Sequence, residues 1–167
     1  DRQMKITLLV ALTAIALPVA GFAQDATITV ADGYARSANP KSGAAFMTLQ
    51  NTGAADCTLT AVTTETAELA ELHSHMDMGD GVMKMGKIEG GITVPAGAEH
   101  KLMRGGDHVM LMGLKAPLEN GQDVALSLDF GPCGTVAAVV PVDNDRKPEE
   151  AAPMHHGAHA MPAPATN

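Results

Sequence analysis

The sequence predicts an all-β fold, an antiparallel β-sandwich or small Greek-key barrel, and three observations carry that prediction. Between residues 26 and 142 the chain is a succession of short runs that alternate apolar with polar residues or concentrate β-branched ones. Clusters of Gly, Asn, Asp and Pro separate those runs at short intervals. No stretch of this region carries the periodicity of a long amphipathic helix. Strands so short, joined by turns so frequent, bury their apolar faces by packing sheet on sheet or by closing a barrel.

Taken in order, the predicted strands are ATITVADGYAR (26–36), GAAFMTLQN (43–51), CTLTAVTTE (57–65), AELHSHM (70–76) and GVMKMGKIE (81–89), followed by ITVPA (92–96), HVMLMGLK (108–115), DVALSLDF (123–130) and TVAAVVPV (135–142). Turn chemistry between them comes from NTGAAD, GDG, EGG, PAGAE, RGGD, LENGQ and GPCG. There is no internal repeat. The chain's 167 residues suffice for one globular domain.

Both ends read differently from the middle. Residues 1–23 have the marks of a signal peptide: basic Arg2 and Lys5, the apolar run ITLLVALTAIALPVA, and small residues Gly21 and Ala23 before a mature start near Gln24. DRQ ahead of Met4 reads as upstream sequence, and with no Cys at the cleavage site no lipid anchor is expected. The expected product is an exported, soluble periplasmic protein with its domain at 24–143. Residues 144–167, rich in Pro, Ala and charge, read as a disordered tail with too little apolar surface to bury.

Composition excludes several classes. A net charge of −8 disfavours nucleic acid and anionic membranes as partners. Aromatic residues make up only 2% of the chain, so Val, Leu, Ile, Ala and Met must build the core, and each methionine can be packing or ligand. The two cysteines, Cys57 and Cys133, suggest one disulfide in an oxidising compartment; two buried thiols are the alternative.

The histidines and methionines are not scattered. His73 and His75 in ELHSHM, Met83 and Met85 in GVMKMGK, and His108, Met110 and Met112 in HVMLMG recur at every second position. In a strand, residues i and i+2 share a face about 7 Å apart, so three strands each offer soft or borderline donors on one side. Thioether sulfur is neutral and soft and imidazole binds copper in either oxidation state, so a mixed set favours Cu(I), and thioethers are not consumed by disulfide formation outside the cytoplasm. A lone methionine at strand period is ordinarily core and a lone histidine ordinarily a hydrogen-bonded surface group. Met47, Met103 and Met112 are read as core or rim, and His100 as such a surface group.

These segments resemble the periplasmic copper chaperones known as PCuAC, whose pattern is a His, about ten residues, a Met, about twenty-one residues, then His-x-Met. The matching positions are His73 or His75, Met85 at the end of GVMKM, and His108 with Met110 in GGDHVMLMGL, within VPAGAEHKLMRGGDHVMLMGLKAPL. Eleven residues separate His73 from Met85 and nine separate His75 from it, so either histidine can be the first ligand; twenty-two separate Met85 from His108. The resemblance implies a cupredoxin-like β-sandwich that binds Cu(I) and delivers it, to a copper-accepting oxidase subunit or another chaperone, for assembly of respiratory oxidase copper centres.

Other functions fit less well. A copper-sequestering or resistance protein would use the same donors. A blue-copper electron carrier needs a thiolate with two His, and GTVAAVVPVDND, the stretch directly after Cys133, supplies no His or Met. No nucleophile with a positioned base marks an enzyme: Ser74 sits between two histidines that point to the other face of the strand. A metal-free adhesion module would show no copper binding. In the tail, Met154, His155, His156, His159 and Met161 form a second donor group, and nitrogen donors so closely spaced suit Cu(II).

Overall fold

The computed structural model describes residues 27–148. Eleven strands and one short 3-10 turn, Gly131–Cys133, make up the ordered elements of this region. The strands are β1 (Ile28–Asn39), β2 (Ser42–Asn51), β3 (Cys57–Leu59), β4 (Ala61–Thr63), β5 (Ala67–Asp77), β6 (Met83–Lys87), β7 (Ile92–Val94), β8 (Glu99–Leu102), β9 (His108–Leu114), β10 (Asp123–Asp129) and β11 (Thr135–Pro141). One sheet runs β1-β2-β9-β5-β6 with β8 added to β2; a second runs β11-β10-β4; β3 and β7 pair separately. Every pairing between these strands is antiparallel.

One apolar core lies between the sheets, as the alternating pattern requires. Ala45, Met47 and Leu49 of β2, Val109 and Leu111 of β9 and Leu72 of β5 meet Val124, Leu126 and Leu128 of β10 and Ala138 and Val140 of β11. Met47 is therefore core. Leucine, valine and Phe130 supply most of the remaining volume. Between Ala31 and Tyr34 the β1–β2 register slips, with Asp32 at φ 50°, and a side chain on Gly33 would run into Val140. Glycine at that bulge lets β1 approach β11 across the sandwich.

Three features depart from the expected strands. CTLTAVTTE breaks at Thr60 into β3 and β4, which join different sheets. β8 falls in a segment with no strand pattern, because of its four residues only Leu102 is buried; it exists through its ladder to Met47–Gln50. Residues 144–148, which composition places in the tail, are fixed to the domain. Asn144 accepts from the Ser37 amide and donates to the Leu118 carbonyl, the Arg146 carbonyl accepts from Arg104, and the Arg146 guanidinium lies 4.4 Å from the Tyr34 ring. Residues 1–26, with the expected signal peptide, and 149–167, with Met154, His155, His156, His159 and Met161, lie outside the described residues.

Cys57 and Cys133 form a disulfide across 76 positions of sequence, tying β3 to the 3-10 turn. It sits among β3, β7 and that turn, away from the histidines.

Candidate metal site

β9 shows two faces of opposite chemistry. Val109 and Leu111 are fully buried in the core, while His108, Met110 and Met112 project to the other side of the sheet. The ladders then decide which donors meet. His73 stands opposite His108 and Met110 opposite Glu71 in the β5–β9 pairing, and His75 stands opposite Met85 in the β5–β6 pairing. Direct partners in an antiparallel ladder share a face, so His73, His75, Met85, His108 and Met110 all project from one side of three adjacent strands.

The ring geometry is close. The His75 and His108 ring centroids are 5.4 Å apart, those of His73 and His108 are 6.0 Å apart, and Phe46 packs 6.1 Å from His108. A groove of about 450 Å³ is lined by His75, Met85, His108 and Met110 on one side and by Phe46 and Pro148 among its other walls. His73 is not among the lining residues. It turns instead to Glu71, with Nε2 3.1 Å from the carboxylate, whose other oxygen accepts from Lys87 at 2.9 Å. Those two bonds, Lys87 first, hold the Glu71 carboxyl below its ordinary pKa, and Glu71 in turn raises that of Lys87.

Hydrogen bonding fixes which nitrogens are available. His108 Nδ1 lies 3.0 Å from the Gly106 carbonyl, which can only accept, so the neutral ring carries its proton on Nδ1 and a lone pair on Nε2. By the same logic His73 donates from Nε2 and keeps a lone pair on Nδ1. The Nδ1 atoms of His73 and His75 are buried with no hydrogen-bond partner. A buried polar atom left unpaired costs about 1–3 kcal/mol, which a metal bond would offset.

His108 is only 2% exposed, although it projects away from the core. Burial holds its imidazole below the ordinary pKa; the His75 and His73 rings add to that, and the Gly106 carbonyl and Asp107 carboxylate act against it. The ring is thus kept in the neutral form that can donate a lone pair. Among the described residues no three His, Cys, Asp or Glu side chains are gathered as a metal-holding group. The lining donors are instead two imidazoles and two thioethers.

Comparison with known proteins agrees with this architecture. Residues 28–142 match the family described as "Putative lipoprotein LpqE-like". The chain belongs to this LpqE-like, PCuAC-type family. It is 35% identical over 115 residues to "Putative lipoprotein Lxx21020" of Leifsonia xyli subsp. xyli (strain CTCB07), covering 69% of each chain. It is similar to the solution structure of apo-DR1885 from Deinococcus radiodurans, at 33% identity and a TM-score of 0.55 over 87% of this chain and 97% of that one. For the Cu(I) form of DR1885 the values are 31% and 0.55, over 77% and 87%. The apo PCuAC domain from PmoF1, at 21% identity and a TM-score of 0.58 over 71% of this chain and 94% of that one, shares the fold.

Within this PCuAC-type domain several groups shape the groove without any donor signature in the sequence. The Gly106 carbonyl accepts from His108 Nδ1 and, at 3.4 Å, from the His75 amide. Gly105, at φ 83°, makes the turn that presents it, and His100 braces the turn through a 2.8 Å bond to Asp107. His100 is thus the hydrogen-bonded residue its isolation suggested. Phe46 and Pro148 wall the groove from elements distant in sequence and carried no signal there, whereas Gly105 and Gly106 were visible as the tight turn of RGGD.

Proposed function

We propose that this protein is an exported copper chaperone that binds one Cu(I) through His75, Met85, His108 and Met110 and passes it to a copper-accepting protein. The observation that carries the reading is the groove itself, in which two thioethers and two imidazoles converge and a buried His75 Nδ1 has no hydrogen-bond partner. Soft, neutral donors of this kind select Cu(I) over Zn(II), Mg(II) or Ca(II). The Cu(I) form of the similar DR1885 supports the same metal. His75 is the first ligand in this reading because it lines the groove opposite Met85, while His73, engaged by Glu71, supports the cluster from behind.

The neutral ligands leave copper exchangeable, which suits delivery, with the copper centre of a respiratory oxidase or another chaperone as recipient. The role is carriage rather than catalysis. A periplasmic location follows from the signal-peptide reading of residues 1–23. The Cys57–Cys133 disulfide removes the thiolate that a blue-copper centre requires. The tail donors Met154, His155, His156, His159 and Met161 are read as a Cu(II) collector. Pro148, in the wall of the groove, would start the tail beside the Cu(I) site and keep a captured ion at high effective concentration.

Anaerobic Cu(I) titration of the full chain against a chromophoric chelator tests the site. The wild type should take up one Cu(I), and His108→Ala with Met110→Ala should abolish tight binding with the β-rich circular dichroism retained. His75→Ala should weaken binding more than His73→Ala. Unchanged affinity in the double variant would sink the assignment. A sequestering protein would bind as well but would retain its copper when offered an apo acceptor. Removing residues 149–167 should eliminate Cu(II) uptake and spare Cu(I).

A further inference from the structure

The β5–β6 hairpin exposes more apolar surface than any packing role explains. Met76, Met78, Val82, Met83 and Met85 are 44–60% exposed, in the one region of the described structure where large hydrophobic side chains collect on the surface. The two faces of this hairpin differ. Met76 stands opposite Lys84 on the back face, with its methyl group against Gly86. Met83 stands opposite Asp77, one step outward from the His75–Met85 pair, and shares the face of the groove.

Exposure also falls in order along that face. Met83 is 54% exposed, Met85 45%, and His108 2%. Met83 does not line the groove, and on edge strand β6 its thioether is the more exposed neighbour of the lining Met85 on the same face. Side chains two apart on a strand are about 7 Å from one another, a span two unbranched methionine side chains can bridge toward a shared ion.

The geometry points to Met83 as a transient outer Cu(I) station, through which the ion passes between a partner and the inner site. This rests on the Cu(I) reading of the groove and extends it to the route the ion takes. Transfer then proceeds by ligand exchange: the incoming Met83 sulfur donates a lone pair to Cu(I) as an inner ligand leaves, with no change of oxidation state and no proton released from the neutral thioether. A station used only on the way lowers the barrier in both directions equally. It therefore changes rates and leaves affinity alone.

The test is stopped-flow transfer of Cu(I), without oxygen, from a chelator to the full chain and back, for the wild type, Met83→Leu and Met76→Leu. Leucine keeps the apolar bulk and removes the sulfur. Met83→Leu should slow loading and unloading by the same factor, on the order of tenfold, a barrier change of about 1.4 kcal/mol, with Kd within about twofold of wild type. Met76→Leu, which removes a thioether of similar exposure from the back face, should leave both rates as they are. Wild-type rates in Met83→Leu overturn the station and leave the Cu(I) site standing. A weakened Kd makes Met83 a resting ligand and overturns it too, as does equal slowing in both variants, which would mark a general effect of the hairpin tip. Absence of Cu(I) binding in the wild type removes both readings together.

Discussion

Two hairpins of this domain have the same local architecture and opposite uses. In β10–β11 the apolar residues Val124, Leu126, Leu128, Ala138 and Val140 alternate with exposed positions and are buried in the core. In β5–β6 the alternation of Met83 and Met85 is just as regular, yet both side chains stand half in water. Alternation alone therefore marks a strand face without saying what covers it. β10 faces a second sheet, whereas β6 is an edge strand whose apolar residues have no layer above them. Apolar area left exposed at a sheet edge carries a solubility penalty, and methionine is the residue whose sulfur gives that exposure a chemical use.

The comparison yields measurements that can break it. The largest effect should come from the end of the domain remote from the groove. Replacing Cys133 with Ser opens a crosslink spanning 76 positions, and the chain-entropy relation gives a loss of about 4.5 kcal/mol. Urea unfolding would read that loss, and Cu(I) affinity should stay within about twofold of wild type if the two ends act independently. A parallel loss of copper binding would show that they do not.

Next comes Leu128→Ala, which empties a fully buried position of β10 and should lower stability by about 3 kcal/mol while preserving the copper stoichiometry.

The pH dependence of the apo protein should be smaller and has a defined sign. Burial depresses the His108 pKa, so the unfolded chain takes up a proton near pH 6.5 while the folded ring is still neutral. Stability from this group is fully present above about pH 6.5 and is lost as pH falls through that value toward the depressed folded one. Unfolding free energies from pH 8 down to pH 5 should fall at the acid end, and less so in His108→Gln. An equal decline in the variant would assign the effect to other groups.

The smallest change in stability, under about 0.5 kcal/mol, is expected for Met85→Leu, because its side chain is half exposed. Its copper affinity should nevertheless fall more than tenfold. Leu128→Ala and Met85→Leu are thus mirror images, and a Met85→Leu variant that unfolds easily but binds copper normally would reverse the roles assigned to the two hairpins.

Much of this was legible in the chain. The period-two pattern identified β9, β10 and β11 because each carries enough apolar residues on one face to reveal its strand period. It failed at β8, where Leu102 alone turns inward, and at Thr60, where one continuous β-branched run changes sheets. Parity placed the five candidate donors on common strand faces, and the ladders do bring those faces together. The choice between His73 and His75 was not available from parity, since both point the same way.

The sequence by itself determined the all-β class, the inward and outward faces of the strands and the chemical softness of the outward donors, because each of these depends on residue type and on a two-residue repeat. Tertiary structure alone decided which strands are neighbours, and so that His75 meets Met85 while His73 is drawn to Glu71 and Lys87. It also decided that a histidine on the outward face of β9 would be buried, with the Phe46 ring from β2, the His73 and His75 rings from β5 and the Gly106 carbonyl packed around it. Pairing register and burial arise from contacts between segments far apart in the chain, and no local pattern can encode a contact whose other half lies elsewhere.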